Sequence, residues 1–232
     1  MRFWFTLLMS LLIMTNFLAI YNLDHQSDRW FRFGATLILA GLFLRNYLSN
    51  YRLLLVFLLL VLCDGLLVYY EIPILKKIVY VSRILAYLFL ILLVSQYLQK
   101  LKLNVVTIVI ATATIALDLY LLNDMAGSLP EADRDPWFLI LFYTLGMISL
   151  AVVAVSISFL NRYANKQSLY LVLVTIGFVL SDIFYYNAYY LEFDVFYYFD
   201  RFCNICALGA LVLLAREIKF AKNKFQLKPG EF

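Results

Sequence analysis

Apolar residues run through this chain in stretches of about 20, separated by short polar breaks. A helix needs about 20 predominantly apolar residues to cross the hydrocarbon core of a bilayer, so each stretch reads as a span. Eight are found, at 3–22, 29–48, 51–70, 74–98, 103–123, 136–160, 168–190 and 195–219. No interval between them is long enough for a soluble domain, so residues 1–232 are expected to form a single transmembrane domain. The pattern predicts an all-α fold, a polytopic membrane helix bundle of eight transmembrane helices. The first run follows Arg2 and shows no convincing small-x-small cleavage site, which favours a retained helix over a signal peptide.

Composition supports the same setting: 65% of the residues are apolar and 15% are charged, far from the balance of a soluble domain. The placement of charge then predicts orientation. Lys and Arg in short loops are held on the cytoplasmic side. Arg2, Arg45 and Arg52, Lys100 and Lys102, Arg162 and Lys166, and a tail with Arg216, Lys219, Lys222, Lys224 and Lys228 mark one side. The alternate breaks carry Asp24 and Asp28, Glu71, Asp124 with Glu131, Asp133 and Asp135, and Glu192 with Asp194. Both termini are therefore expected in the cytoplasm, with Lys76 and Lys77 as exceptions to the rule. The formal charge of +4 serves this topology and anionic lipid headgroups. The cations are scattered over several breaks, which does not describe a nucleic-acid surface. A multi-pass protein of a bacterial plasma membrane is expected.

The chain also resembles itself. Asp64 is followed 19 residues later by Arg83, and Asp182 is followed 19 residues later by Arg201. Asp28-Arg29-Trp30-Phe31 opens the second run, and Asp133-Arg134-Asp135-Pro136-Trp137-Phe138 opens the sixth. Tyr21-Asn22-Leu23-Asp24 closes the first run, and Leu121-Leu122-Asn123-Asp124 closes the fifth. Three matches in the same order predict two parallel four-helix repeats, 1–102 and 103–232.

Asp64 and Asp182 fall at similar depth within apolar runs, Asp64 about 9 Å inside the outer end of its span. Intramembrane carboxylates usually face a bundle interior and mark a pathway or a reaction. If the halves pack around a pseudo-twofold axis, the two face each other across one cavity. Two readings stay open. Asp64 with Arg83, and Asp182 with Arg201, can be ion pairs that lock each hairpin, or the acids can carry chemistry, for which one of them has to hold a proton.

Other residues narrow the choice. His25 stands alone in a polar break, Cys203 and Cys206 lie three apart with nothing obvious to complete a metal site, and neither a metal nor a cofactor is expected. No GxSxG, Gly-rich phosphate loop or HExxH occurs. Asp118 is a third acid near the outer end of the fifth span, placed to contribute to the cavity or to snorkel to the interface. A proton-coupled transporter or lipid translocator also fits acids at matched depth, but the four prolines, Pro73, Pro130, Pro136 and Pro229, leave the spans unbroken.

The segments LLVFLLLVLCDGLLVYYE (54–71) and TIGFVLSDIFYYNAYY (175–190) resemble the two Asp-bearing segments of the YhhN family, the lysoplasmalogenases. Cys63 precedes the first Asp where members often have Gly, and Arg32-Phe33 stands where they often have Lys-Pro. The resemblance implies hydrolysis of the vinyl ether of a lysophospholipid-type membrane lipid, with release of a fatty aldehyde. Asp64 and Asp182 would be the catalytic acid and base, as paired carboxylates are in glycosidases. Arg83 and Arg201 would hold the lipid phosphate. Tyr69, Tyr185, Tyr186 and Tyr189, with Asp118, would line the substrate path, or the tyrosines would form an interfacial aromatic belt. Oligomeric state is not indicated by the sequence.

Overall fold

The computed structural model describes residues 2–47, 51–95, 116, 119–129 and 135–223. Among these the regular elements are helical: α1 (Arg2–Asn22), α2 (His25–Tyr47), α3 (Tyr51–Leu67), α4 (Pro73–Val94), α5 (119–127), α6 (Pro136–Tyr163), α7 (Lys166–Tyr190) and α8 (Val195–Asn223). The predicted fifth span is described mainly from residue 119, and Asp118 lies outside the described residues.

Five helices, α1, α4, α6, α7 and α8, are long and apolar enough to cross a membrane, consistent with a multi-pass membrane protein. α3 has 17 residues, at the short end of what a bilayer needs. α2 carries Asp28, Arg29 and Arg32 in its first turns and Arg45 in its last. It begins at His25, ahead of the predicted 29, because those charges are helix interior and not a polar break.

Local chemistry sets the boundaries. Pro73 and Pro136 occupy first-turn positions of α4 and α6, where the missing N–H is not needed. Asp135 caps α6 by accepting from the Phe138 N–H at 3.3 Å. It is also held 2.5 Å from the Lys77 ammonium of α4, and this hydrogen bond keeps its carboxyl below the usual value. The tie is present at neutral pH and is lost as acid protonates Asp135. α6 ends at Ala164, whose left-handed φ of 43° closes the helix. Asn165 then starts α7 through a capping box with Ser168, at 2.9 and 3.1 Å. The α6–α7 connection is therefore two residues long, and the helices are antiparallel neighbours.

α8 and α4 are the most buried of the five, and α1 and α6 the most exposed. The hairpins α3–α4 and α7–α8 pack most extensively, and α4 packs on α6 as α8 packs on α2. Two apolar clusters fill the interior. One, rich in Leu, Val and Phe, includes Leu39, Phe57, Tyr87, Phe178 and Leu208. The other is rich in tyrosine, with Tyr70, Tyr80, Tyr185, Tyr186 and Tyr197. Charged residues occupy the layer between them.

At the α7–α8 contact, a Cβ on Gly177 would sit 2.9 Å from the Ala207 Cβ and 3.3 Å from the Cys203 carbonyl. Gly177→Leu is expected to wedge the hairpin apart at a cost of about 1–3 kcal/mol, measured as a lower thermal unfolding midpoint in detergent. Gly34→Leu, with nothing within 4 Å of its Cβ position, is the control expected to leave that midpoint near wild type.

Candidate functional site

The charged layer is built from helix faces. Asp28, Arg32 and Thr36 fall at successive i, i+4 positions on α2. Asp64 lies one turn from the end of α3, Arg83 and Tyr87 four apart on α4, Ser181 and Asp182 on α7, and Asp200 and Arg201 in the second turn of α8. All stand near the end of the bundle at which α1–α2, α3–α4 and α7–α8 connect.

Arg32 is the hub. Its Nε donates to Asp64 Oδ1 at 2.9 Å, and its Nη1 to both oxygens of Asp200 at 2.9 and 2.7 Å. The Thr36 hydroxyl donates to the other oxygen of Asp64 at 2.5 Å, and the Ser181 hydroxyl donates to Asp200 at 2.5 Å. Arg201 closes the cluster, donating to Asp28 at 2.5 Å and to its neighbour Asp200. Toward the bundle end, Arg29 meets Glu71 at 2.6 Å.

A separate pair joins α4 to α7. Arg83 Nε lies 2.9 Å and Nη2 2.7 Å from Asp182 Oδ1, and the Tyr87 hydroxyl donates to Asp182. The guanidinium lies over the Phe178 ring at 4.7 Å.

These pairings correct the expected hairpin locks. Arg83 does not hold Asp64, and Arg201 does not hold Asp182. Arg83 reaches across to α7, and Asp64 is served by Arg32, which sequence spacing within a hairpin does not single out. The two aspartates also do not face each other across one cavity. A cavity of about 50 Å³ lies at the junction of the charged layer and the tyrosine cluster, lined by Arg32, Arg83, Asp182, Tyr70, Tyr80, Tyr185, Tyr186 and Tyr190 with Cys63 and several aliphatic side chains. Asp182 opens onto it, its side chain 24% exposed. Asp64 is not on the wall. It is 2% exposed, and Arg32 takes its place.

The other expected site residues divide the same way. Arg201 is fully buried and held by Asp28 and Asp200, away from the cavity wall. Tyr185 and Tyr186 are buried and line the cavity, so they are interior side chains and not an interfacial belt. Tyr186 donates to the Met125 carbonyl at 2.5 Å, tying α7 to α5. Tyr69 is exposed and Tyr189 half-buried.

Lys76, an exception to the charge rule for topology, is buried in a box of aromatic rings. Its ammonium lies 4.7 Å from the Tyr70 ring centroid, 5.2 Å from Tyr189, 5.3 Å from Tyr190 and 5.8 Å from Phe138, within cation–π range. Lys77, the second exception, is the partner of Asp135. Neither lysine is a loop charge counted by the positive-inside rule.

Among the described residues no three His, Cys, Asp or Glu side chains are grouped as a metal site needs. The chain matches no known family, no curated protein and no solved structure, so the chemistry is argued from this geometry.

Sequence reasoning missed Arg32, Thr36, Tyr87, Ser181 and Asp200 as members of the site. The signal was present in the i, i+4 spacing of Asp28, Arg32 and Thr36 and of Arg83 and Tyr87. Removing one partner of a buried ion pair costs about 3–5 kcal/mol. Arg32→Met leaves Asp64 without a cation and Asp200 with Arg201 alone, and is expected to lower stability by about that range, measured by unfolding in mixed detergent. Asp182→Asn, at the cavity, is expected to cost less. The reverse order would make Arg83–Asp182, and not Arg32, the tie that holds the bundle.

Proposed function

We propose that the chain is a membrane hydrolase of the lysoplasmalogenase type, in which Asp182 is the acid–base group and the cavity carries the water that the reaction consumes. The observation that supports this most is the position of Asp182, the one acid among the described residues on the wall of the cavity. Its volume of about 50 Å³ is several times the ~10–15 Å³ that a buried water needs.

Vinyl-ether hydrolysis adds a proton to the alkene carbon, and water captures the oxocarbenium ion that forms. The hemiacetal then releases aldehyde and the glycerophospho-alcohol. Asp182 gives the proton to the alkene carbon, its carboxylate then steadies the cation and takes a proton back from the attacking water, and Arg83 and the Tyr87 hydroxyl, which donates to Asp182, hold it in place. Asp64 is given a positioning role in this scheme, as the group that orients Arg32. Arg83 orients Asp182.

The finer features of the fold belong to the same proposal. Eight spans and cytoplasmic termini are proposed from the apolar runs and the side on which basic residues collect, and a bacterial plasma membrane is proposed with them. Two four-helix repeats are supported by the matched packing of α4 on α6 and α8 on α2.

A second reading has its own support. Each buried acid among the described residues meets an arginine, which is what a purely structural lock requires. Purified protein should release fatty aldehyde from lysoplasmalogen, and Asp182→Asn should reduce the rate by about 10²–10⁴-fold while the thermal midpoint stays close to wild type. Asp64→Asn should lose activity together with stability. If the wild type releases no aldehyde from any lysolipid, the hydrolase reading fails; proton-driven solute uptake by reconstituted vesicles would then point to a transporter.

A further inference from the structure

The geometry points to the tyrosine end of the cavity as a binding site for a neutral alcohol group, read by the hydroxyls of Tyr70, Tyr80 and Tyr190. Three elements bring these phenols together: the connection between α3 and α4, α4 itself, and the last residue of α7. The Tyr70 hydroxyl lies 3.4 Å from that of Tyr80 and 3.3 Å from that of Tyr190. All three side chains line the cavity on which Asp182 stands, and none of them takes part in the hydrolysis scheme.

Charge on the wall is already balanced. Arg83 is matched by Asp182, and Arg32 by Asp64 and Asp200, so the cavity calls for neither an anion nor a cation. The tyrosines define what it does call for. Both contacts of Tyr70 are longer than the ~2.5–3.0 Å usual for O–H···O, so this buried side chain draws little from either. A phenol has one hydrogen and two lone pairs. With its hydrogen toward Tyr80 and one lone pair toward Tyr190, Tyr70 keeps a second lone pair for a hydrogen that the ligand supplies. An alcohol brings that hydrogen and an acceptor oxygen without bringing charge. The hydroxyl of Tyr70 is placed by packing of its ring, which stands edge-on to Tyr185 at 5.5 Å and Tyr189 at 4.9 Å and lies 4.7 Å from the Lys76 ammonium.

The identity of the alcohol rests on the hydrolase reading. In a lysolipid it is the free glycerol hydroxyl, on the carbon next to the one that bears the vinyl ether, so holding it at the tyrosine end brings the ether toward Asp182. A second acyl chain on that oxygen removes the hydrogen Tyr70 accepts, and a cavity of about 50 Å³ is too small to take the chain. The tyrosines thereby select a lipid with a free hydroxyl over its acylated counterpart, since a site built around a hydroxyl rejects the analogue that lacks it.

The test uses the full chain in an uncharged detergent and two ligands that cannot be hydrolysed. One is a lysophospholipid with a saturated ether in place of the vinyl ether; the other is the same lipid with its free hydroxyl capped as a methyl ether. Affinities are read from the thermal midpoint as each is titrated. Wild type is expected to bind the free hydroxyl about tenfold or more tighter than the methyl ether. Tyr70→Phe keeps the packed ring and loses the hydroxyl, so it is expected to bind both ligands equally, with the wild-type affinity for the methyl ether as the sign of an intact fold. Tyr190→Phe is expected to narrow the difference, and decides the matter if Tyr70→Phe does not fold. The inference is overturned if wild type binds neither ligand, if it binds both alike, or if the folded variants discriminate as wild type does. Neither ligand turns over, so the outcome is independent of hydrolysis: discrimination without aldehyde release from lysoplasmalogen removes the hydrolase reading and leaves the alcohol site.

Discussion

Arg32 holds Asp64 of α3 and Asp200 of α8 at the same time, and the relative placement of the central helices depends on it. From this one guanidinium the network runs outward, to Thr36 on its own helix, to Ser181 of α7 through Asp200, and back to Asp28 of α2 through Arg201. Four helices are tied by side chains that have no water to fall back on. A buried charge is tolerated only when paired and hydrogen-bonded, so each member fixes the rotation of the helix that carries it. Arginine suits the hub because its fork serves two carboxylates in defined directions, which an ammonium does not.

This polar layer lies between an aliphatic interior and a tyrosine-rich one, and the cavity forms at the second boundary. Tyrosine rings pack against the guanidinium and ammonium groups and offer hydroxyls, so the transition from charge to apolar packing is gradual. The two aspartates end up in different places because of it. Asp64 is enclosed by Arg32 and Thr36, whereas Asp182 lines the cavity. The asymmetry traces to Arg32 on α2, whose counterpart in the sequence match of the second half, two residues beyond Trp137, is Leu139.

Much of the helix pattern was legible before any coordinates. The predicted runs at 136–160 and 168–190 agree with α6 and α7 to within a few residues, because an apolar stretch bounded by Pro136, Asn165 and the polar 191–194 segment has few other ways to fold. The start of α2 was misplaced for a reason that is itself informative: Asp28, Arg29 and Arg32 look like a break when read singly, and become interior once each has a partner. Lys76 and Lys77, set apart as exceptions in the charge count, are likewise partnered, Lys76 by aromatic rings and Lys77 by Asp135.

Among the described residues, the sequence by itself determined which segments are helical and which charged residues lie within apolar runs, since both follow from local periodicity and from the need of a backbone away from water to satisfy its own hydrogen bonds. Only the tertiary structure decided which acid each arginine holds and which of the two aspartates meets the cavity. Spacing along one hairpin favoured Asp64 with Arg83 and Asp182 with Arg201, but pairing is set by how helices are rotated and how closely their axes approach. Those are properties of the assembled bundle, and they placed Arg83 against Asp182 and gave Asp64 to a residue one helix earlier.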